Sequence, residues 1–240
     1  MKHPIHEHLE RRRIYLFRHA QAIDSSAESM AYPGEKPLTP LGRKQASAMG
    51  EFVKDVYFDF AVSSDYLRAR ETAELVLGDR SGMLRISEYF RELKTELKEL
   101  LGDAQTADEA VKAMVESMWN IPERFKTEVA EGLVQVGKSL EFLLQHEWSV
   151  ALVAAHSGFN RLFICHVLGM PVKFLSVFEQ DYSGMSILEL DIDNDKKSLV
   201  RAVLRELNVT AYNHAKNDSL LIDIEKVALE TRPVMEKMFK

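Results

Sequence analysis

A chain of 240 residues, 46% of them hydrophobic and 28% charged, has an ordinary globular composition and the length for one sizeable α/β domain with an inserted cap. Its net charge of −6 argues against a general nucleic-acid or membrane-surface role, so an anionic ligand would need a local cationic pocket. The single cysteine, Cys165, leaves no partner for an internal disulfide and fits a reducing compartment.

Residues 1–12 read as a flexible polar tail, ending in the solvated run Arg11-Arg12-Arg13. The stretch Met1 to Arg13 lacks the apolar core of a signal peptide, and no apolar run approaches a membrane span; the expected location is the cytoplasm. Ile14-Tyr15-Leu16-Phe17 reads as a short buried strand. A loop rich in Ser, Ala and Gly follows from about Gln21 to Pro37. Thr39-Pro40 has the form of an N-cap with proline at the first helical position, and Ala46, Met49, Phe52 and Val53 follow at helical spacing. Phe58 to Ser63 is the second strand, and Ser64 or Asp65 can cap the helix carrying Leu67, Ala69, Ala73, Val76 and Leu77. A short strand spans Leu84 to Ile86.

From Glu92 to Gln145 the sequence predicts no strand. Ala107, Ala110, Val111, Met114, Val115 and Met118 keep a helical period, as do Phe125, Val129, Leu133, Val136 and Leu140. This stretch reads as a helical cap over about 95–130, followed by a helix returning to the sheet. Ser149 to Ala155 is a near-continuous apolar run, suited to a strand covered on both faces. A helix over Phe159 to Leu168 ends at Gly169 and Pro171. Further strands are expected at Phe174 to Phe178, Met185 to Leu190 and Leu199 to Val209, and a last helix over Leu220 to Glu230. The fold class is therefore α/β: a three-layer sandwich with a mostly parallel central sheet, helices on both faces and a helical cap insertion.

Three strand-to-helix junctions carry unusual residues: Arg18-His19, Arg68 early in its helix, and His156-Ser157-Gly158. Ligands of open α/β sheets bind beyond the carboxyl ends of the strands, so adjacent strands would bring two histidines and two arginines together. Helix N-termini there add N–H donors for phosphate, and arginine forks match phosphate geometry. A neutral imidazole can attack phosphorus covalently, while Glu88 or Glu92 could protonate the leaving oxygen. Each feature alone has a plainer explanation, a hydrogen-bonded structural histidine or a solvated arginine; their combination is what points to phosphoryl transfer.

At these residues the chain resembles the histidine phosphatase superfamily, with its phosphoglycerate-mutase-like fold. Ile14 to Ala22 is similar to the signature of an apolar strand followed by Arg-His-Gly. Leu38-Thr39-Pro40-Leu41-Gly42-Arg43-Lys44-Gln45-Ala46 matches Leu-Thr-x-x-Gly-x-x-Gln-Ala. Ser63 to Ala73 matches the Ser-x-x-x-x-Arg-Ala-x-x-Thr-Ala block, and Val153 to Gly158 holds the second histidine. The resemblance implies His19 as phosphorylated nucleophile, and Arg18, Arg68 and His156 as the phosphate pocket, with a backbone contact at Ser157. It also implies Glu92, in Phe90-Arg91-Glu92-Leu93, as proton donor ahead of its rival Glu88. It implies no metal and no cofactor.

Ala20 and Ser157 replace glycines of the pattern. The asparagine of cofactor-dependent mutases is missing, with Asp24 or Ser25 nearby, and Lys94-Thr95-Glu96-Leu97-Lys98-Glu99 stands where mutases carry Trp-Glu-Gly. His156 is followed by Ser157 and not Asp, against the acid-phosphatase and phytase branch. His156 to Pro171 and Gln180-Asp181-Tyr182 are similar to α-ribazole phosphatases. Lys36-Pro37-Leu38-Thr39 after the signature is similar to the small phosphohistidine phosphatases, which lack a long cap. The expected activity is hydrolysis of a small phosphorylated metabolite through a phosphohistidine. The alternatives are a phosphoglycerate mutase, a phosphohistidine protein phosphatase, and a pseudoenzyme that only binds phosphorylated ligands. The expected partner is a small phosphomonoester, with no nucleic acid and no membrane, and with room for a homodimer. His3, His6 and His8 have metal-like spacing but read as a solvated tail; Met114, Met118 and Trp119 read as core or as a cap face; Cys165 reads as a buried core residue and His166 as a helix residue without catalytic duty.

Overall fold

The computed structural model describes residues 2, 5–23, 33–94, 102–119, 126–216 and 221–239. One six-stranded sheet runs β3-β2-β4-β1-β5-β6, with β1 Leu9–Arg18, β2 Phe60–Ser63, β3 Leu84–Ile86, β4 Val150–Ala155, β5 Met185–Asp193 and β6 Ser198–Val209. Pairing is parallel from β3 to β1; β5 is antiparallel to β1 and β6 antiparallel to β5, so β5 alone runs against the rest. The helices are α1 Pro40–Phe52, α2 Leu67–Leu77, α3 Ala107–Trp119, α4 Lys126–Leu144, α5 Ser157–Val167 and α6 Asp223–Met238.

Alternation along the strands builds two cores. Ile14, Leu16, Val62 and Val153 face one way, against Leu140 and Leu143 of α4 and Phe159 and Phe163 of α5. Tyr15, Phe17, Ala61 and Leu152 face the other way, against Met49 of α1 and Val76 of α2. The middle strands are covered on both sides, which is why β4 reads as an unbroken apolar run.

α3 lies elsewhere. Its Ala110 and Met114 pack against Ala228 and Met235 of α6, and Arg232 of α6 holds Asp108 of α3 at 2.6 Å. The Met114 stripe is thus core between two helices. Met118 and Trp119 side chains, residues 95–101 and 120–125 of the expected cap, His3, and the Asp24/Ser25 position lie outside the described residues.

Four expectations need correction. β1 begins at Leu9, so the tail is shorter than residues 1–12 and the three arginines are not a solvated run. Arg11 and Arg13 lie directly across from Asp191 and Glu189 of β5, with Arg11 Nε 2.7 Å from Asp191 Oδ1 and Arg13 Nη2 2.6 Å from Glu189 Oε1. Arg12 points to the opposite side, 2% exposed, with its guanidinium carbon 5.3 Å from the Trp148 ring. A cross-strand charge ladder is strand-forming without any local apolar alternation.

Second, Ser64 and Asp65 are not the cap of α2: its N-cap is Tyr66, which has no side-chain cap bond. Third, Phe174 to Phe178 is not a strand; Val172–Val177 forms a 3-10 turn. Both edges of β1 and of β4 are already paired, so the segment instead buries Leu175 and Phe178 in the core. Fourth, α6 continues past Glu230 through Pro233 to Met238. A proline inside a helix costs about 3 kcal/mol, and here packing of Met235 onto α3 offsets it.

The Thr39-Pro40 start is as the sequence predicts: Thr39 Oγ1 accepts the Gly42 N–H at 2.9 Å. The Thr39 N–H donates to the Gln21 carbonyl at 3.0 Å, which ties α1 to the chain just beyond His19. A Cβ on Gly42 would stand 2.0 Å from that carbonyl oxygen. Gly42→Ala should therefore lower the unfolding free energy by about 1–3 kcal/mol, measured by urea titration, whereas Ser47→Ala on the exposed side of α1 should change it little.

Candidate active site

Strand register makes the site. β1 and β4 are adjacent and parallel, with Arg18 opposite Ala155; the next residue on each is a histidine, and neighbouring strands lie about 4.8 Å apart. The rings of His19 and His156 accordingly have centroids 5.2 Å apart. On the other flank of β4, Ser63 of β2 pairs with Ala154, so Ser64 follows beside Ala155 and its Oγ lies 3.0 Å from His156 Nε2. Arg68 comes from the first turn of α2.

His19 is oriented by one bond. Its Nδ1 is 2.7 Å from the carbonyl oxygen of Ala20. A carbonyl only accepts, so Nδ1 carries the proton and Nε2 is left with a lone pair. Burial, then the charge of Arg68, then His156 and Arg18, hold the His19 pKa well below the usual imidazole value. Burial, followed by Arg68 and Arg18, does the same to His156. Both rings are neutral near pH 7, the form in which an imidazole is a nucleophile.

The two guanidinium groups are braced by aromatic faces. Arg18 lies 4.0 Å over the Tyr182 ring and donates through Nη1 to the Gln180 carbonyl at 2.5 Å. Arg68 lies 4.9 Å over the Tyr66 ring. The Tyr66 ring is 5.2 Å from that of His156 and the Tyr182 ring 5.9 Å from that of His19. Arginine on an aromatic plane keeps its donors in the ring plane of the guanidinium, turned to whatever anion enters.

Ser157 is the first residue of α5. Glu92 reaches the same helix start: its carboxylate accepts the N–H groups of Phe159 at 2.9 Å and Gly158 at 3.3 Å, and that of Leu93 at 3.0 Å. A Cβ at position 158 would stand 2.8 Å from Glu92 Oε1, so glycine gives the carboxylate its place. Arg91, just before it, grips Asp65 through Nε at 2.8 Å, joining this segment to the turn after Ser64. Glu88 is elsewhere, with its side chain 67% exposed and 3.3 Å from Arg91 Nη1. All six residues singled out from the sequence thus surround one end of β1, β2 and β4.

The sequence reading missed Ser64 and Tyr66 as members of the site, although both lie inside the Ser63 to Ala73 block. Tyr182 stood in a quoted motif with no role given. Gln180 contributes a backbone carbonyl, which leaves no side-chain signal. Cys165 is buried, and burial raises its pKa to about 11, as suits an inert core thiol. Among the described residues no group of three or more His, Cys, Asp or Glu could hold a metal, and no helix is long and apolar enough to cross a membrane.

An α/β sheet whose strand ends present two neutral imidazoles between two guanidinium groups defines an anion-binding, histidine-centred enzyme class. The chain belongs to the histidine phosphatase superfamily (branch 1), whose family model matches residues 14–204. It is 30% identical to a glucosyl-3-phosphoglycerate phosphatase of Mycolicibacterium vanbaalenii, over 67% of this chain and 76% of that one. With the adenosylcobalamin/alpha-ribazole phosphatase of Escherichia coli it shares 25% identity over 75% and 90%. The solved structure "Mycobacterial hydrolase 2" has the same fold, with a TM-score of 0.66, 21% identity, and coverage of 91% and 97%. Relatives from Arabidopsis thaliana and Triticum aestivum are much longer; this chain spans 38% and 37% of their lengths.

The depressed pKa values of His19 and His156 link the site to stability. Unfolded histidines take up protons near pH 6.5, while the folded ones do so only well below it. Unfolding therefore binds protons in that interval, and the contribution to stability is complete above about pH 6.5 and lost as pH falls towards the folded-state values. Thermal melts in phosphate-free buffer should show Tm falling between pH 7 and 5, with a shallower fall in His156→Asn.

Proposed function

We propose that this protein is a phosphomonoester hydrolase that acts on a small phosphorylated metabolite through a phosphohistidine at His19. The observation that carries the proposal is the Nδ1 bond of His19 to the Ala20 carbonyl, which leaves Nε2 unprotonated beside His156 and within the field of both arginines.

Arg18, Arg68, His156 and the backbone at Ser157 hold the phosphoryl oxygens. His19 Nε2 attacks phosphorus, the ester P–O bond breaks, and Glu92 gives its proton to the leaving oxygen. Water then attacks the phosphohistidine, Glu92 takes the water's proton, the P–N bond breaks, and inorganic phosphate leaves with His19 restored. Stabilisation of spread charge by fixed guanidinium groups is the main catalytic contribution in phosphoryl transfer. The position of Glu92 at the start of α5, against the exposure of Glu88, supports Glu92 as the proton carrier. In this reading the chain is one domain, the helical insertion over about 95–130, of which α3 is part, serves as the cap over the pocket, and the protein works in the cytoplasm, without metal or cofactor, as a monomer or homodimer. The phosphatase names of the bacterial relatives support hydrolysis of a phosphorylated small molecule.

The test is release of inorganic phosphate from p-nitrophenyl phosphate and from a panel of phosphorylated metabolites and phosphopeptides, in chelator. His19→Ala should lower kcat at least about 1000-fold and abolish acid-labile labelling of the protein by radioactive phosphate. Glu92→Gln should lower kcat about 100- to 10,000-fold with labelling retained. Isomerisation of a phosphoglycerate in place of phosphate release would overturn the hydrolase reading, and undiminished turnover by His19→Ala would overturn the nucleophile.

A further inference from the structure

Ser64 and His156 form a buried pair whose hydrogen-bond accounting closes in one way. Both residues are 0% exposed. Ser64 Oγ accepts the N–H of Tyr66 at 3.2 Å, and its other polar neighbour is His156 Nε2 at 3.0 Å. The Ser64 amide donates to the Ala154 carbonyl at 2.9 Å, and the Ser64 carbonyl accepts the Ser63 hydroxyl at 2.8 Å. Among the described residues the hydroxyl proton of Ser64 thus has a single acceptor, the imidazole nitrogen. If Nε2 carried the proton instead, a fully buried O–H would be left without an acceptor, an arrangement native interiors avoid.

The proton of neutral His156 therefore sits on Nδ1, on the side of the ring away from Ser64. That nitrogen is buried and meets no hydrogen-bond partner among the described residues. His19 is in the same tautomer, fixed by the Ala20 carbonyl, yet the two rings present opposite chemistry. His19 offers a bare Nε2, and His156 offers a protonated Nδ1 as a donor with no acceptor among the described residues. An incoming tetrahedral anion supplies the acceptor that Nδ1 lacks.

We propose that Ser64 is a positioning residue that fixes the tautomer of His156, so that a neutral imidazole donates its Nδ1–H to a phosphate oxygen. This deepens the phosphatase reading of the same site and rests on it. It makes His156 a fixed hydrogen-bond donor that keeps its proton through both chemical steps, which leaves the proton of the leaving group to Glu92. The low pKa of His156 agrees with the geometry, because an imidazolium would have to break the bond from the Ser64 hydroxyl. Register places the residue, since β2 and β4 pair with Ser63 beside Ala154 and position 64 therefore follows next to His156.

The experiment is nitrogen NMR on the full chain labelled with 15N-histidine, at pH 7.5, with His156 assigned by its loss in His156→Asn. The expected result is a pyrrole-like Nδ1 and a pyridine-like Nε2 for His156, and a shift of Nδ1 on addition of inorganic phosphate. Ser64→Ala should move His156 towards a mixture of tautomers and weaken phosphate binding, read by the same titration, about tenfold or more. Ser64→Thr, which keeps the hydroxyl, should restore both. A pyridine-like Nδ1 in the wild-type protein overturns the proposal without the use of any variant, as does a Ser64→Ala protein with unchanged tautomer and affinity. Neither readout needs turnover, so failure here is distinct from failure of the hydrolase reading, which the His19→Ala assay decides.

Discussion

The parallel pairing of β1 with β4, in the register that sets Arg18 opposite Ala155, is the constraint from which the site follows. One residue of slip would turn His19 or His156 to the other face of the sheet, since side chains alternate with a period of two. The register is held by burial: Ile14, Leu16, Val153 and Ala155 must face α4 and α5 together, while Tyr15, Phe17, Leu152 and Ala154 face α1 and α2. Core packing on both faces thus determines the distance between two imidazoles beyond its edge.

The site is cationic in a protein of net charge −6, and the contrast is local. Arg18 and Arg68 are buried at the strand ends, each over a tyrosine ring. Further along the sheet, arginines of β1 and β6 are instead neutralised by β5 carboxylates, as where Asp191 meets both Arg11 and Arg201. Charges bound in such ladders serve strand pairing. Burial first, and then the pair at the strand ends, depresses the pKa of both histidines, and the pair provides the charge to which a phosphate would respond.

The C-terminal helix reaches this region as well. Tyr182, which carries Arg18 on its ring, has its hydroxyl 3.5 Å from Glu230 of α6, and α6 in turn carries α3. α3 is therefore joined, through a residue near the end of the chain, to the end of the sheet that carries the two histidines. α3 buries its apolar face against α6, which explains why it keeps a helical period without contributing to the cores on the sheet.

Elements with a local signal were legible before any folding was considered. β4 could be read because a strand buried on both faces is continuously apolar, α1 because Thr39-Pro40 is a start signal, and the grouping of Arg18, His19, Arg68 and His156 because strand ends in this fold family carry Arg-His, Ser-x-x-x-x-Arg and His in order. Whatever depends on partners distant in the chain had to wait for the packed molecule. The arginines at 11–13 become strand only because β5 presents carboxylates opposite them. Val172–Val177 turns into a 3-10 segment because no strand edge beside β1 or β4 is open to it. α6 passes Pro233 because α3 packs against Met235. The proton on each histidine likewise belongs to the fold, since an imidazole nitrogen is protonated according to what faces it: the Ala20 carbonyl for His19 and the Ser64 hydroxyl for His156. Composition and periodicity encode what a residue prefers; only packing supplies the neighbour that answers the preference.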